Sequence, residues 1–319
     1  MPASIRRSRA ARWRVPLLAV PFLAAVPLPP STGAAAPAAA PVRPMASSST
    51  DTAWVLRFSD EFDGPGLDAT KWSPGFGWGD TSGNTVGVCD PDQNSVEDGL
   101  LVQRIVRRGS GRRPFRVGCI NSRGRHAQLF GYWEARIRAA GCRGSRSSFW
   151  AKPDDESWPP ELDVVEVYGD DRSRADLTIH WWEDGEHEKS KGRHHGPDFW
   201  AGFHVFGAEW SPTEVVWHID GVEVHRTRRG ARHMDDGGPF YTMVEAQVVR
   251  ASSLCGRWPY YSAQHVDYVR IWDRPAVRPV LGSGSRSGTR PAPRDRRAGS
   301  GRRPGVLWDG PARTGWIRP

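Results

Sequence analysis

The chain has 319 residues, enough for one large domain or two small ones. Its pI of about 9.7 and net charge of +8 are typical of proteins that bind nucleic acid. The positions of the charges exclude that interpretation, because residues 1–50 carry +6 and residues 274–319 carry +9. A charge of −7 is left for residues 51–273. The central region is acidic, and nucleic acid is not the expected partner.

The first 40 residues have the pattern of an export signal. Five arginines between Arg6 and Arg14 precede an apolar stretch, VPLLAVPFLAAVPL at 15–28, and small residues follow it. The stretch is short and rich in proline for a membrane span. We therefore predict a signal peptide over residues 1–40, a linker over 41–53 and a secreted protein without stable membrane insertion. A membrane anchor kept in the mature protein is the alternative.

Residues 54–273 lack long helical periodicity and show short runs with period-two alternation or many β-branched residues. Turn formers such as DGPG, EDG, SPTE and DDGGP separate the runs. This pattern predicts an all-β fold, an antiparallel sandwich, with a tight hairpin at Asp220-Gly221. The predicted strands are WVLRFSDEF (54–62), LLVQRIV (100–106), GYWEARIRA (131–139), ELDVVEV (161–167), ADLTIHWW (175–182), HVFGAEW (204–210), EVVWHIDGVEV (214–224), FYTMVEAQV (240–248) and HVDYVRIW (265–272).

The strand at 161–167 carries three carboxylates, Glu161, Asp163 and Glu166. Alternation places Glu161 and Asp163 on one face, whereas Glu166 lies an odd five residues from Glu161. A β-bulge near Val164-Val165 returns Glu166 to that face. The two glutamates are then about 13 Å apart along the backbone, and their carboxyl groups can approach to about 5–6 Å.

Paired carboxylates at that separation are typical of a retaining glycosidase, in which one is the nucleophile and the other the acid and base. Close like charges raise one pKa, so that one group stays protonated beside an ionised neighbour. Asp163, between them, is placed to hydrogen-bond and tune the nucleophile. A solvated strand face and a calcium site are the alternatives.

Residues 54–273 contain thirteen tryptophans, more than a core of this size requires. Aromatic rings suit the apolar faces of sugars. We expect Trp217 and Trp272 to lie in the core. Trp158, Trp181 and Trp182 are close in sequence to the carboxylates, and we expect them to line a cleft.

The chain has four cysteines, Cys89, Cys119, Cys142 and Cys255, an even number that predicts two disulfides in an exported protein. Their count leaves all three pairings open. No close cysteine pair indicates a metal site. The stretch HEKSKGRHH (187–195) is interpreted as a solvated loop and not as a zinc site, because its three histidines lack a fixed spacing.

Residues 274–319 are rich in Arg, Pro, Gly and Ser and show almost no apolar periodicity. Such a segment cannot bury enough apolar surface to offset the entropy of ordering, so we predict a disordered basic tail. The tail either holds acidic polymers at a cell surface or is dispensable.

Five segments together resemble glycoside hydrolase family 16 over about residues 54–273. The segments are FSDEFDG (58–64), GYWEARIR (131–138), ELDVVE (161–166), GFHVFGAEWSPTEVVWHIDGVEV (202–224) and HVDYVRIW (265–272). ELDVVE matches the bulged, laminarinase-like form of the family signature, Glu-x-Asp-x-x-Glu. The resemblance implies an antiparallel β-jelly-roll sandwich with a concave substrate cleft, formed by a catalytic domain over residues 54–273.

By this resemblance Glu161 is the nucleophile, Asp163 its modulator and Glu166 the acid/base, and GYWEARIR is a strand of the cleft. Catalysis needs no cofactor. A structural calcium on the convex side is expected at Asp267, with help from Gly99 and Glu61. The residues predicted to contact sugar are Glu134, Arg136, Trp158, His180, Trp181 and Glu245.

The chain departs from the family pattern at positions expected in the cleft. Arg146 and Ser147, in GSRSSFW (144–150), stand where many relatives have Trp-Pro. Glu245 stands near a position that is often Asn, and RASSLCGRW (250–258) replaces a glycine-rich continuation. These differences bear on the substrate more than on the chemistry.

The resemblance implies an endo-acting, retaining hydrolase of a β-linked polysaccharide, with β-1,3- or mixed β-1,3-1,4-glucan as the best match. A galactan hydrolase, a transglycosylase and an inactive glycan-binding module are the alternatives, and the three intact carboxylates argue against the last. We expect a monomer. The pairs Cys89–Cys119, flanking one hairpin-like region, and Cys142–Cys255, in loops after cleft strands, are favoured. The domain over 54–273 is expected to carry the activity alone.

Overall fold

Short alternating runs separated by turn formers fold into strands in the computed structural model of the chain. The structure describes residues 54–83, 85–255 and 262–274. The predicted signal peptide (1–40), the linker (41–53) and the tail beyond Arg274 lie outside these residues. Within the described part of the chain, no helix is long and apolar enough to cross a membrane.

All nine predicted runs form strands, and the all-β prediction is confirmed. The strands, numbered along the chain, are β1 (Val55–Asp60), β2 (Ser73–Pro74), β3 (Gly87–Cys89), β4 (Asn94–Glu97), β5 (Leu100–Arg107), β6 (Phe115–Val117), β7 (Cys119–Asn121), β8 (Ala127–Gln128), β9 (Gly131–Arg138), β10 (Ser145–Pro153), β11 (Glu161–Tyr168), β12 (Arg174–Glu183), β13 (Glu186–His195), β14 (His204–Trp210), β15 (Val215–Ile219), β16 (Val222–Thr227), β17 (Phe240–Val248) and β18 (Ser262–Asp273).

The strands form two sheets. One sheet has ten strands in the order β16-β15-β14-β9-β18-β5-β6-β3, with β1 beside β18 and β4 beside β5. The other has eight strands in the order β13-β12-β11-β10-β17-β7-β2, with β8 beside β17. Neighbouring strands are antiparallel, as predicted, except that β3 and β6 run parallel. The two sheets pack face to face as a sandwich.

The main hydrophobic core lies between the sheets, and strand alternation decides which side chains enter it. In β11, Leu162, Val164 and Val165 are buried in the core, whereas Glu161 and Asp163 point to the outer face of the eight-stranded sheet, which we call the cleft face. The polar outer positions of this one strand are therefore the candidate site residues.

The two predicted core tryptophans are both buried, but in different places. Trp217 has no exposed surface and belongs to the core cluster between the sheets. Trp272 packs against Tyr132, with ring centroids 5.7 Å apart, and lies outside the core clusters. Trp133 adds a polar link across the core, where its Nε1 donates to Thr242 Oγ1 at 3.2 Å.

The predicted hairpin joins β15 to β16. Asp220 and Gly221 both have positive φ, 51° and 78°, as the two central residues of a type I′ turn require. Asp220 also accepts hydrogen bonds from the Val205 amide at 2.9 Å and from the His204 ring at 2.8 Å, which attach the turn to the neighbouring strand β14.

The two favoured disulfides are both present. Cys89–Cys119 joins β3 of the ten-stranded sheet to β7 of the eight-stranded sheet, with Cα atoms 5.5 Å apart. Cys142–Cys255 joins the loop before β10 to the segment after β17, with Cα atoms 5.4 Å apart. The first bond links the layers of the sandwich, and the second links two connections at the end of the sheet where β10 begins and β17 ends.

The prediction of a loop over residues 187–195 is wrong. These residues form most of β13, which pairs with β12 along its whole length at the edge of the eight-stranded sheet. One face of β13 packs small residues against β16. Ser190 Oγ donates to Thr227 Oγ1 at 2.9 Å, and a Cβ added to Gly192 meets the His225 ring at 2.4 Å. The strand needs no apolar residue, so its sequence shows no strand pattern.

Candidate active site

A β-bulge in β11 brings the three carboxylates to one face, as predicted. Asp163 pairs with Thr178 and Glu166 with Asp176, so two residues of β11 face one residue of β12 between these pairs. Val164 and Val165, the residues of the bulge, are both buried in the core. If the same residues formed a regular strand without the bulge, Glu166 would face the core, because side chains alternate along a regular strand.

The opposite sheet supports the backbone at the bulge. Trp217, on β15, donates its indole Nε1–H to the carbonyl oxygen of Asp163 at 2.9 Å. A bulge disrupts the ladder of backbone hydrogen bonds, and a buried carbonyl left without a donor is costly. Trp217 therefore supplies the hydrogen-bond donor that the backbone carbonyl needs at the bulge, next to the side chains that face the cleft.

The carboxylates open into a cavity of about 670 Å³ on the cleft face. Side chains of β10, β11, β12 and β13 line it, together with Trp78, Ser82 and Gly83 from the loop before β3. Trp78 and Trp150, with ring centroids 6.0 Å apart, form an aromatic surface on one side of the carboxylates. The cavity is large enough for several sugar units and carries both aromatic and charged groups.

Glu161 begins β11 and is held by two aromatic neighbours. Trp158 Nε1 donates to Glu161 Oε2 at 2.7 Å, and His180 Nε2 lies 3.7 Å from Glu161 Oε1. Burial, reinforced by the negative charge of Asp163, raises the pKa of Glu161 to about 8. The charge of His180 and the hydrogen bond from Trp158 oppose this rise but do not cancel it.

Asp163 is the middle carboxylate and is only 5% exposed. Its Oδ2 lies 3.5 Å from His180 Nε2, and one polar atom each of Glu161, Asp163 and His180 fit within 4.8 Å of one another. Burial and the charge of Glu166 raise the pKa of Asp163 well above its ordinary value, against the charge of Arg146 and a hydrogen bond with Glu161. The pKa shifts of Glu161 and Asp163 both favour the protonated carboxyl group.

Glu166 has a partner on each oxygen. Arg146 Nη1 lies 2.9 Å from Oε1, and the Tyr168 hydroxyl donates to Oε2 at 3.1 Å. Arg146 Nη2 contacts Glu245 Oε1 at 2.9 Å, so the guanidinium bridges two glutamates. Burial works to lower the pKa of Arg146, but the charges of Glu166 and Glu245 outweigh it, and the pKa lies above the ordinary value.

Two of the predicted sugar contacts line the cavity and a third lies behind it. Trp158 and His180 line the cavity, and Trp158 is 48% exposed. Glu245 is 1% exposed and lies outside the lining, where it contacts Arg146. The position of Glu245 supports the site without reaching a substrate.

The predicted sugar contacts at Glu134 and Arg136 are wrong. Both lie on β9, which pairs with β14 and β18 in the ten-stranded sheet, and not in the cleft. Glu134 is 2% exposed and accepts a hydrogen bond from the Tyr268 hydroxyl at 3.0 Å. GYWEARIR is thus a strand of the opposite layer, because its pairing partners decide its sheet.

The predicted contact at Trp181 is also wrong. Trp181 has no exposed surface and belongs to the core cluster, since alternation along β12 turns it away from His180. Trp182 points back to the cleft face and is 48% exposed, with its ring centroid 6.2 Å from that of His187. The closeness of Trp181 to the carboxylates in sequence therefore did not determine which face of the sheet carries its side chain.

Several lining residues were not among the predicted contacts. The aromatic pair Trp78 and Trp150 was visible only as part of the tryptophan count. Lys152, whose Nζ lies 4.7 Å from the Trp78 ring centroid, and Tyr168 carried no signal of their own. Alternation in β11 places Tyr168 on the same face as Glu166, and that rule could have found it.

The residues predicted for calcium are engaged by arginines. Asp267 Oδ2 lies 2.6 Å from Arg136 Nη1. Both oxygens of Glu61 accept from Arg270, at 2.9 and 2.7 Å. Gly99, with φ of 74°, forms the turn between β4 and β5. Carboxylates already matched by guanidinium groups do not favour calcium, which stays a prediction from the resemblance and has no part in the chemistry below.

A sandwich with two glutamates side by side in a large cleft is the arrangement of a glycosidase that acts on polysaccharides. The family model of glycosyl hydrolases family 16 matches residues 103–269, more than half of the chain. The chain belongs to this family.

Relatives share the domain rather than the whole chain. An endo-1,3-1,4-beta-glycanase of Rhizobium meliloti is 28% identical over 215 residues, 60% of this chain and 45% of its own length. A glucan endo-1,3-beta-glucosidase of Cryptopygus antarcticus is 31% identical over 202 residues, 58% of this chain and 73% of its own. The chain thus spans less than half of the Rhizobium protein.

A solved structure gives the same fold. The catalytic domain of an endo-1,3-beta-glucanase (laminarinase) from Thermotoga petrophila superposes with a TM-score of 0.60 at 21% identity. The match covers 70% of this chain and 100% of that domain. The likeness establishes the predicted jelly-roll sandwich.

Proposed function

We propose that the protein is an exported, endo-acting β-glucan hydrolase that retains anomeric configuration and cleaves β-1,3 or mixed β-1,3-1,4 linkages. One observation carries the proposal: the bulge in β11 turns both Glu161 and Glu166 into one large cleft lined with tryptophan. The names of the relatives from Rhizobium meliloti and Cryptopygus antarcticus support the choice of β-glucan.

The reaction proceeds in two displacements. The Glu161 carboxylate attacks the anomeric carbon while the glycosidic C–O bond breaks, and Glu166 gives its proton to the departing oxygen. Water then attacks the same carbon from the other side, Glu166 takes a proton from that water, and the bond to Glu161 breaks. The two steps consume one water and restore both carboxyl groups.

The neighbours of Glu161 prepare it for attack. Trp158 fixes Oε2 by a hydrogen bond of 2.7 Å, which leaves Oε1 toward His180. The charge of Asp163 adds to burial in raising the pKa of Glu161, so the reaction begins only when Glu161 has lost its proton. Asp163 acts through Glu161 and is a positioning residue.

Export is supported by residues at the N-terminus and by the disulfides. Five arginines and an apolar stretch have the pattern of a signal peptide. The structure pairs all four cysteines, which suits an oxidising compartment. We accordingly place the substrate outside the cell.

A panel of polysaccharides, with product masses, tests the proposal. The full-length protein is expected to release oligosaccharides from β-1,3- and mixed-linkage glucan. Glu166→Gln should lower turnover about 100- to 10,000-fold, because an amide cannot supply the proton. Glu186→Gln, an exposed glutamate at the β12–β13 turn, is the matched control. Release only from galactan, or new longer chains in place of shorter ones, overturns the proposed reaction in favour of a galactan hydrolase or a transglycosylase.

A further inference from the structure

The cleft face of β13 carries a row of basic side chains. Alternation places His187, Lys189, Lys191 and Arg193 on this face, opposite the cleft-facing residues of β12. The first three line the cavity itself. The row begins one strand away from His180, which contacts the Glu161–Asp163 pair.

Two residues of the row contact one carboxylate, together with an arginine of β12. Asp176, on β12, is fully buried and accepts contacts from Arg174 Nε at 2.8 Å, Lys191 Nζ at 2.7 Å and Arg193 Nε at 3.0 Å. Burial works to raise the pKa of Asp176, but these hydrogen bonds outweigh it and hold the pKa below its ordinary value. Asp176 stays ionised and neutralises only one of three cations.

Lys189 has no carboxylate of its own. It is exposed, and no carboxylate oxygen of the described residues lies within 4.0 Å of its Nζ. With Arg174, Lys191 and Arg193 it gives four positive charges against the single charge of Asp176, an excess of +3 on the outer face of β12 and β13. Of these four cations, Lys189 and Lys191 line the cavity.

The excess lies close to the reacting carboxylates. Lys189 pairs with His180, and His180 pairs with Glu161, so two strand spacings separate Lys189 from the nucleophile. That distance is about 10 Å between backbones. On the other side of the carboxylates the lining contains Trp78 and Trp150, and its two cations, Arg146 and Lys152, are paired with glutamates. A polymer lying across the strands therefore meets aromatic rings and paired cations on one side, and a lysine without a carboxylate partner on the other.

A neutral glucan offers no partner for the charge of Lys189 or for the excess charge of β12 and β13, whereas an acidic group does. We propose that the half of the cleft formed by β12 and β13 binds an anionic substituent of the polysaccharide, a carboxylate, sulfate or phosphate group. The preferred substrate is then an acidic derivative of a β-glucan. This inference rests on the proposed function, whose site it shares.

The position of β13 supplies a competing explanation. It is the edge strand of its sheet, and lysines on edge strands prevent pairing with other chains. Preventing such pairing requires charged side chains on the edge strand, but it does not require an excess of positive charge beside the catalytic glutamates. The test must therefore separate binding from aggregation.

The test measures dissociation constants of the full-length protein for one soluble β-1,3-glucan and for its carboxylated, sulfated and phosphorylated derivatives. The Glu161→Gln background stops hydrolysis during the measurement. At low salt the anionic derivatives are expected to bind more tightly than the neutral polymer, and added salt should reduce the difference. Lys189→Gln should weaken anionic binding about threefold relative to neutral binding, the size of one exposed ion pair.

Arg112→Gln is the matched control, because it removes one exposed cation from the turn between β5 and β6 in the other sheet. Equal affinity for neutral and anionic polymers, or an equal loss in Arg112→Gln, overturns the proposal. So does increased light scattering of Lys189→Gln without a change in binding. Tight binding of anionic polymers of any backbone, together with no cleavage of β-glucan by the unsubstituted protein, retains the cationic site and rejects the proposed function instead.

Discussion

Asp163 controls when its neighbour Glu161 is ionised. Burial and the charge of Asp163 raise the pKa of Glu161 to about 8, and a nucleophile must be ionised to attack. kcat/KM reports the groups of the free enzyme, so the rise of its pH profile should follow the ionisation of Glu161, and its fall should follow the loss of the proton that Glu166 must donate. Asp163→Asn removes a negative charge and should move this rise to lower pH, with reduced turnover. A pH profile with the same midpoint in Asp163→Asn contradicts this role.

Arg146 couples the acid/base glutamate to a buried one. Breaking a buried ion pair leaves an uncompensated charge and costs about 3–5 kcal/mol, and Arg146→Met strands Glu245, which is 1% exposed. Glu245→Gln in the same chain removes that charge. The loss of unfolding free energy in the double variant should therefore be about 1–3 kcal/mol smaller than the sum of the single losses. Denaturant titration measures it, and simple additivity contradicts the coupling.

At the scale of elements, the bulge in β11 determines which face carries Glu166. Deleting Val164 leaves ELDVE, in which the three carboxylates occupy alternate positions and still share a face. We expect a folded protein with reduced but measurable hydrolysis, because the bond from Trp217 to the bulge is disturbed.

Inserting a second valine after Val165 is the matched control for this deletion. The insertion makes the offset from Glu161 to Glu166 an even six. A regular strand then turns a valine into the cleft and moves the two glutamates to about 20 Å apart along the backbone. A strand that keeps the bulge instead turns Glu166 toward the core, where an unpaired carboxylate is costly. The insertion should abolish hydrolysis and lower the denaturation midpoint. If the insertion variant is active and the deletion variant is inactive, the bulge does not determine the orientation of Glu166.

At the scale of the whole molecule, the catalytic cluster makes folding depend on pH. A carboxyl group whose pKa is raised by folding contributes stability that is complete below its ordinary value of 4.5 and is lost as pH rises through about 8. The melting temperature should therefore fall between about pH 5 and pH 9, and Glu161→Gln should flatten this fall. Calorimetry at several pH values measures the difference, and parallel curves for the two proteins contradict it.

Local sequence predicted those parts of the molecule whose alternation is visible within one strand. The carboxylates, the bulge and the buried valines of β11 could be predicted from ELDVVEV, and the hairpin from Asp220-Gly221. Sheet membership depends on partners far along the chain, so Glu134 and Arg136 were assigned to the wrong layer. β13 has no apolar residue and gave no signal.

The partners of the catalytic residues also come from distant strands. The contact of Arg146 with Glu166 joins β10 to β11, and the bond from Trp217 to Asp163 crosses the sandwich. Trp181 was misplaced because nearness in sequence was given more weight than alternation. Local patterns therefore identified the reacting groups but not the contacts that tune them.

Azide rescue of the two glutamate variants tests the assignment of nucleophile and acid/base most directly. With an activated aryl β-glycoside, azide should occupy the space left in Glu161→Ala and give an α-glycosyl azide, inverted with respect to the substrate. In Glu166→Ala azide should attack the covalent intermediate from the other side and give the β-glycosyl azide. Exchange of these two configurations, or no azide product from either variant, contradicts Glu161 as nucleophile and Glu166 as acid/base.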